Sequence, residues 1–183
     1  MRKLNPKTAI LAAVLGVWVS PAFASISFGA WSWRIIDKQK TRAPSPVTQI
    51  ILPPNGYLKG RLRAVLSVVN HGESREGILL RYALFANVYS TADPKNDHGW
   101  TIPFAVDERR VPILKSGQSL PIIFDVTDSV KDYFKRLSLE GWKPSQIKME
   151  VMIEPRQGED SALQTTQSFL SIAEEEPRLE INK

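Results

Sequence analysis

The sequence predicts a mainly β protein, an antiparallel β-sandwich with one amphipathic helix inserted at about 129–140. Three observations predict it. Apolar and polar residues alternate with a period of two in five separate stretches, which is the pattern of strands with one buried face. Clusters of turn-forming residues separate those stretches. Helical spacing occurs in one segment between two of them. The chain has 183 residues, 43% hydrophobic and 23% charged, enough for one globular domain with its own core.

The chain opens with "MRKLNPKTAILAAVLGVWVSPAFAS". Arg2, Lys3 and Lys7 form a basic start, Thr8–Val19 an apolar run of 12 residues, and Ala22-Phe23-Ala24 a small-x-small end. These are the parts of an export signal over 1–24, with cleavage expected before Ser25. A second reading stays open. From Thr8 to Trp33 there are 26 residues without a charge, long enough to cross a bilayer as an anchor. Both readings place the folded part in the periplasm or envelope, because the basic end stays inside. Only the second leaves it attached to the membrane.

Residues 25–46 read as an N-terminal arm that ends in the charged, proline-bearing linker Asp37–Pro46. Trp31 and Trp33 lie in this arm next to Arg34, a combination that suits docking to a partner. Trp31, Trp33 and Ile35 also alternate, so a first core strand at about 30–36 is the other reading. The sandwich is expected over 47–173 and a polar tail over 174–183.

Within the sandwich, Leu62, Ala64, Leu66 and Val68 share the face of a first strand. Ile78, Leu80, Tyr82, Leu84, Ala86 and Val88 share that of a second. Trp100, Ile102, Phe104 and Val106 predict a third, and Leu120, Ile122, Phe124 and Val126 a fourth. Ile147, Met149, Val151 and Ile153 predict a fifth, and Phe169–Ile172 a weaker closing strand. The second strand is also apolar on its other face, at Leu79, Phe85 and Tyr89. That face is expected to lie under the helix or to meet a partner, so Phe85 and Tyr89 join Trp31 and Trp33 as candidate partner-binding residues. The helix follows from Val130, Tyr133, Phe134 and Leu137. Ser129 and Asp132 have capping-box spacing, and Gly141 stands where helices often end.

Two turns carry a family resemblance. One contains Val68, Asn70 and Gly72, and the other Pro112, Leu114, Gly117 and Gln118. The order strand, "VVNHG", strand, loop, "VPILKSGQSLPIIF" resembles bacterial immunoglobulin-like sandwiches of the CARDB type, over about 60–127. The stretch "PFAVDERRVPILKSGQSLPIIF" is also similar to part of the periplasmic pilus-assembly chaperones. The resemblance implies an immunoglobulin-like sandwich with a binding or assembly role, and it supplies no functional residue. The helix is foreign to the simple module. In the first turn, Asn70 and Gly72 suit a corner because both tolerate positive φ, and His71 reads as exposed and inert.

Several chemistries lack their parts. There is no cysteine, which removes disulfides, thiolate nucleophiles and Cys-ligated metals. Three of the five net positive charges sit in the leader, and the remainder alternate with acids, unlike a nucleic-acid surface. No G-x-S-x-G, G-x-G-x-x-G or P-loop occurs. "DPKNDHGW" holds Asp93, Asn96, Asp97 and His98. It reads as a polar hairpin loop, with calcium as the alternative. The expectation is a non-enzymatic exported interaction or assembly protein with protein partners, no nucleic acid, no cofactor and no resident metal. A sugar- or calcium-binding module, or a membrane-anchored accessory subunit of an envelope complex, is the alternative.

Overall fold

The computed structural model describes residues 25–36, 46–53, 56–95, 98–154 and 163–175. The leader, most of the linker and the end of the tail lie outside them. Among the described residues, ten strands and one helix follow in order: β1 Ile26–Ile36, β2 Pro46–Val47, β3 Gln49–Leu52, β4 Arg61–Asn70, β5 Arg75–Ser90, β6 His98–Trp100, β7 Ala105–Leu114, β8 Ser119–Asp125, α1 Thr127–Leu139, β9 Trp142–Ile153 and β10 Gln164–Glu174. Among the described residues no helix is long and apolar enough to cross a membrane.

The strands form two sheets. Sheet A has the order β2-β1-β4-β8. Sheet B has the order β3-β10-β9-β5, with β6 and β7 both on the far edge of β5. All pairings are antiparallel except β3 with β10, which is parallel and sets Gln49 beside Ser171. The inward rows of both sheets meet in one core. Leu62, Ala64, Leu66 and Val68 of β4 face Leu80, Leu84, Ile147, Met149 and Leu170 of sheet B. The arrangement is that of a β-sandwich, as the alternation predicts.

The sandwich starts earlier than the sequence suggests. Residues 26–36, read as part of an arm, form β1, which pairs with β4 from Ile26↔Asn70 to Ile36↔Arg61. Trp33 is buried, and its Nε1–H donates to Ser168 Oγ at 3.0 Å. Trp31 Nε1–H donates to Thr166 Oγ1 at 3.1 Å. Both indoles thus reach from sheet A to β10 of sheet B. The first-strand reading describes these residues, and the docking-arm reading does not fit them. Trp33, buried with its N–H satisfied, lies out of a partner's reach, and Trp31 is half-buried against the same core.

The third expected strand is broken. β6 ends at Trp100, and β7 begins at Ala105. Between them Thr101 and Phe104 still donate to the carbonyls of Ala86 and Leu84, so the chain follows the β5 edge irregularly. Pro103 has no N–H to give this ladder. As a result Ile102 and Val106 are exposed. Of the expected core face Trp100, Ile102, Phe104 and Val106, only Phe104 packs inward, stacked on Tyr133 with centroids 4.2 Å apart.

The helix begins two residues earlier than expected, and the capping box does not form. Its N-cap is Val126, with no side-chain cap bond. The entry is fixed instead by Asp125, whose Oδ1 accepts from the Thr127 N–H and hydroxyl. Thr127 Oγ1 also accepts from Leu62 N–H at 2.9 Å. Gly141 follows the helix with φ +77, a left-handed value that glycine adopts without strain. Val130, Phe134 and Leu137 join the shared core. The helix therefore links β8 of sheet A to β9 of sheet B and buries one face in the core they share, and it does not cover Phe85 and Tyr89 on the outer face of β5.

The corner after β4 is pinned by Asn70, which is fully buried. Its Nδ2 donates to the carbonyls of Glu73 at 2.6 Å, Leu114 at 2.9 Å and Lys115 at 3.3 Å. Its Oδ1 accepts from Gly72 N–H at 3.0 Å. Its backbone is bonded to Gln118 and Gly117. Neither Asn70 nor Gly72 has positive φ, so that part of the sequence argument is corrected. Asn70 is needed as a buried donor. Gly72 is needed for close approach, since a Cβ there would lie 2.9 Å from Ser25 Cβ.

Candidate functional site

The outer face of sheet B is built from the residues that alternate with the core. On β5 these include Phe85 and Tyr89; on β9, Lys148 and Glu150; on β10, Phe169; on β6, Trp100. Register sets Phe85 beside Lys148 and Phe169 on Lys148's other side. It sets Asn87 beside Trp100, which brings Trp100 diagonally next to Phe85.

The result is an aromatic patch around one ammonium group. Lys148 Nζ sits 4.2 Å from the Phe85 ring centroid and 5.3 Å from that of Trp100, within cation–π range. Trp100 and Phe169 meet edge to face, with centroids 6.0 Å apart and planes at 62°. Trp100 is 43% exposed and Phe169 45%. Ile51, on β3 beside β10, is also exposed.

Ion pairs surround the patch. Lys148 binds Glu150 at 2.7 Å, Lys143 binds Glu174 at 2.7 Å, and Arg81 binds Glu154 at 3.3 Å. Tyr89 Oη–H donates to Glu174 Oε1 at 3.2 Å. Its phenol is pushed above the ordinary tyrosine range, first by burial and then by the Glu174 charge. The rim is therefore polar and internally paired, and the centre is aromatic around the paired Lys148 ammonium.

Of the four candidate residues from the sequence, Phe85 and Tyr89 lie on this face, and Trp31 and Trp33 bridge the sheets elsewhere. Trp100 and Phe169 were missed as surface groups. Trp100 alternates with apolar neighbours and so reads as core. Phe169 reads as part of a short buried strand. Only cross-strand register shows that both border Lys148.

The histidines and the carboxylates of the loop 93–98 form no catalytic constellation among the described residues. His71 Nε2 lies 2.7 Å from Ser27 Oγ at an exposed corner, but among the described residues no acid is hydrogen-bonded to the imidazole to orient it as a triad requires. Asn96 and Asp97 of the loop read as a calcium alternative lie outside the described residues. Among the described residues, no group of three or more His, Asp or Glu side chains could hold a metal ion.

No family model matches the chain, and no curated protein sequence matches it. Among solved structures, similarity is found to Spo0M, a sporulation control protein from Bacillus subtilis, with TM-score 0.37 and 9% identity over 79% of this chain and 50% of that one. A β-D-glucoside glucohydrolase from Trichoderma reesei gives TM-score 0.37 and 13% identity over 82% of this chain. The β-glucosidase EmGH1 from Erythrobacter marinus gives 0.33 and 15% over 81%. The chain spans half of the first of these proteins and 19% and 15% of the glucosidases. Scores of this size do not establish a shared fold.

Proposed function

We propose that the protein is a non-enzymatic interaction module of the periplasm or envelope that docks a partner protein through the outer face of sheet B. The observation that carries this reading is the Phe85, Trp100 and Phe169 patch around Lys148. An aromatic cluster bounded by a polar rim is in keeping with interface hot spots, with Lys148 and its Glu150 partner as the one charged pair inside it. The geometry favours a protein over a sugar. A sugar ring stacks on a free, flat aromatic face, yet Lys148 already covers Phe85 and Trp100, and the Trp100 and Phe169 planes are crossed. A ridged surface of this kind suits interdigitating side chains. The rim charges are already paired, so the partner is held mainly by apolar contact.

Export rests on the leader pattern in residues 1–24. The immunoglobulin-like reading draws support from the strand order. The first long strands and β8 share one sheet, and β5, β9 and the last strand share the other. This resembles the ABE and CFG division of that fold, with β6 and β7 in the place of the extra edge strand.

A photo-crosslinking residue placed at position 169 in the producing cells tests the reading. The expected result is one discrete adduct with another protein. The same probe at Ile123, exposed on sheet A, should give none. Phe169→Ala should abolish partner co-purification with the melting temperature unchanged within a few degrees. Equal adducts from 169 and 123, or full capture by the alanine variant, would overturn the reading.

A further inference from the structure

The outer face of sheet A carries a different feature, at the end of β1 far from Ser25. Arg34 of β1 stands directly across from Arg63 of β4, and Arg61 is two residues further along β4 on the same face. Like charges set directly opposite on a sheet repel. Among the described residues, one carboxylate, Asp125, binds two of these guanidinium groups. Its Oδ2 accepts from Arg63 Nε–H at 3.2 Å and lies 3.5 Å from Arg61 Nη2. Burial acts to raise the Asp125 pKa, but the Thr127 donors and the two arginines overcome it and hold the carboxyl below its ordinary range.

Arg34 has no share in that carboxylate. Its other cross-strand neighbour is Pro46 of β2, which offers no charge. Its Nε is shielded from solvent and has no hydrogen-bond partner, an uncommon state for a guanidinium donor. Among the described residues, the fold therefore sets three cations beside one anion and leaves the Arg34 Nε donor without a partner.

We propose that Arg34, Arg61 and Arg63 form a binding site for a phosphate-class oxyanion. The planar fork of each guanidinium matches the oxygen spacing of such a group. A tetrahedral anion between Arg34 and Arg63 would relieve their repulsion and accept hydrogen bonds from both. Asp125 competes for Arg61 and Arg63, so the site is tuned to exchange its ligand. The same chemistry can come from free phosphate or from an anionic lipid headgroup.

The test uses natively processed protein with 15N-labelled arginine. Inorganic phosphate is titrated at constant ionic strength against chloride, and the Nε–Hε resonances are followed by NMR. The expected result is a saturable shift of the Arg34 and Arg63 signals. Arg34→Gln or Arg61→Gln should weaken apparent affinity about tenfold or more, the usual effect of one charged hydrogen bond. Asp125→Asn keeps the Oδ1 acceptor for Thr127 and removes the competing charge, so it should tighten binding. A second arm replaces phosphate with vesicles. Binding to phosphatidylglycerol and not phosphatidylcholine assigns the headgroup as the source, and a response to phosphate alone assigns the free anion. Arginine signals unmoved by both phosphate and phosphatidylglycerol would overturn the proposal. So would affinity unchanged in both Arg61→Gln and Asp125→Asn.

Discussion

Replacing Asn70 by alanine removes a side chain that neither packs a partner nor meets solvent, and its cost can be worked out from its bonds. The amide gives two N–H groups to three carbonyls, of Glu73, Leu114 and Lys115, and accepts one N–H from Gly72. Three bonds' worth of donors and acceptors are lost in a buried site. At about 1 kcal/mol net per bond, the loss is about 3 kcal/mol, with stranded carbonyls pushing it upward. For a domain of this size that lowers the melting temperature by roughly 6–12 °C. Urea unfolding followed by tryptophan fluorescence measures it, since the buried Trp33 reports on the sandwich. Asn70→Asp sharpens the reasoning. It keeps the shape and turns the donor into an acceptor facing carbonyls. Burial raises the folded-state pKa of that carboxyl above its unfolded value. The variant should therefore come closest to wild type in acid and lose ground as pH rises through 4 toward neutrality. An alanine variant within about 1 kcal/mol of wild type, or an aspartate variant with wild-type stability at pH 7, would refute the account of the corner.

Trp33→Ala should cost about 3–5 kcal/mol by leaving a cavity, whereas Trp33→Phe should lose little more than the bond to Ser168, about 1 kcal/mol. Similar, small losses for both in urea unfolding would contradict a core role for β1. The Tyr82 phenol is pushed up to about 12, first by burial and then by the Asp107 charge. Absorbance at 295 nm should show a late tyrosine step that Tyr82→Phe removes. Because the folded pKa is raised, its stabilising effect is whole below the free value of 10.0 and falls as pH rises from there through 12. Tyr82 ionising near 10 in the folded protein would contradict its placement beside Asp107.

Strands whose two faces differ in burial were legible in the sequence. β4 shows Leu62, Ala64, Leu66 and Val68 all fully buried, and β9 repeats the pattern with Ile147, Met149 and Val151. Trp100–Val106 kept the period but not the burial, because Pro103 and the irregular path along β5 turn the side chains outward. Alternation states which residues share a face and is silent on whether that face is covered. The same gap hid the candidate site. Phe85 stood out as an apolar residue on the wrong side of its strand, but its neighbours Lys148, Trp100 and Phe169 come from three other strands. Arg34 and Arg63 likewise meet only through the β1–β4 register. Asn70 was noticed for the wrong reason, since its backbone is ordinary and its side chain does the work.

The parallel pair of β3 and β10 has a consequence for how the chain reaches this fold. It joins Gln49 to Ser171, partners on the order of 120 positions apart, and such distant pairings slow folding because the intervening loop must close first. The tryptophan bridges from β1 to Thr166 and Ser168 span the molecule in the same way. A chain emerging from its N-terminus can form the β1–β4 and β5–β7 ladders early, yet it has nothing to cover the open edge of β9 until β10 arrives. Completion waits for the last dozen described residues. Through that interval the half-built sheet B displays an unpaired strand, the condition under which chains associate wrongly. A truncation ending before β10 should therefore aggregate rather than form a smaller stable sandwich.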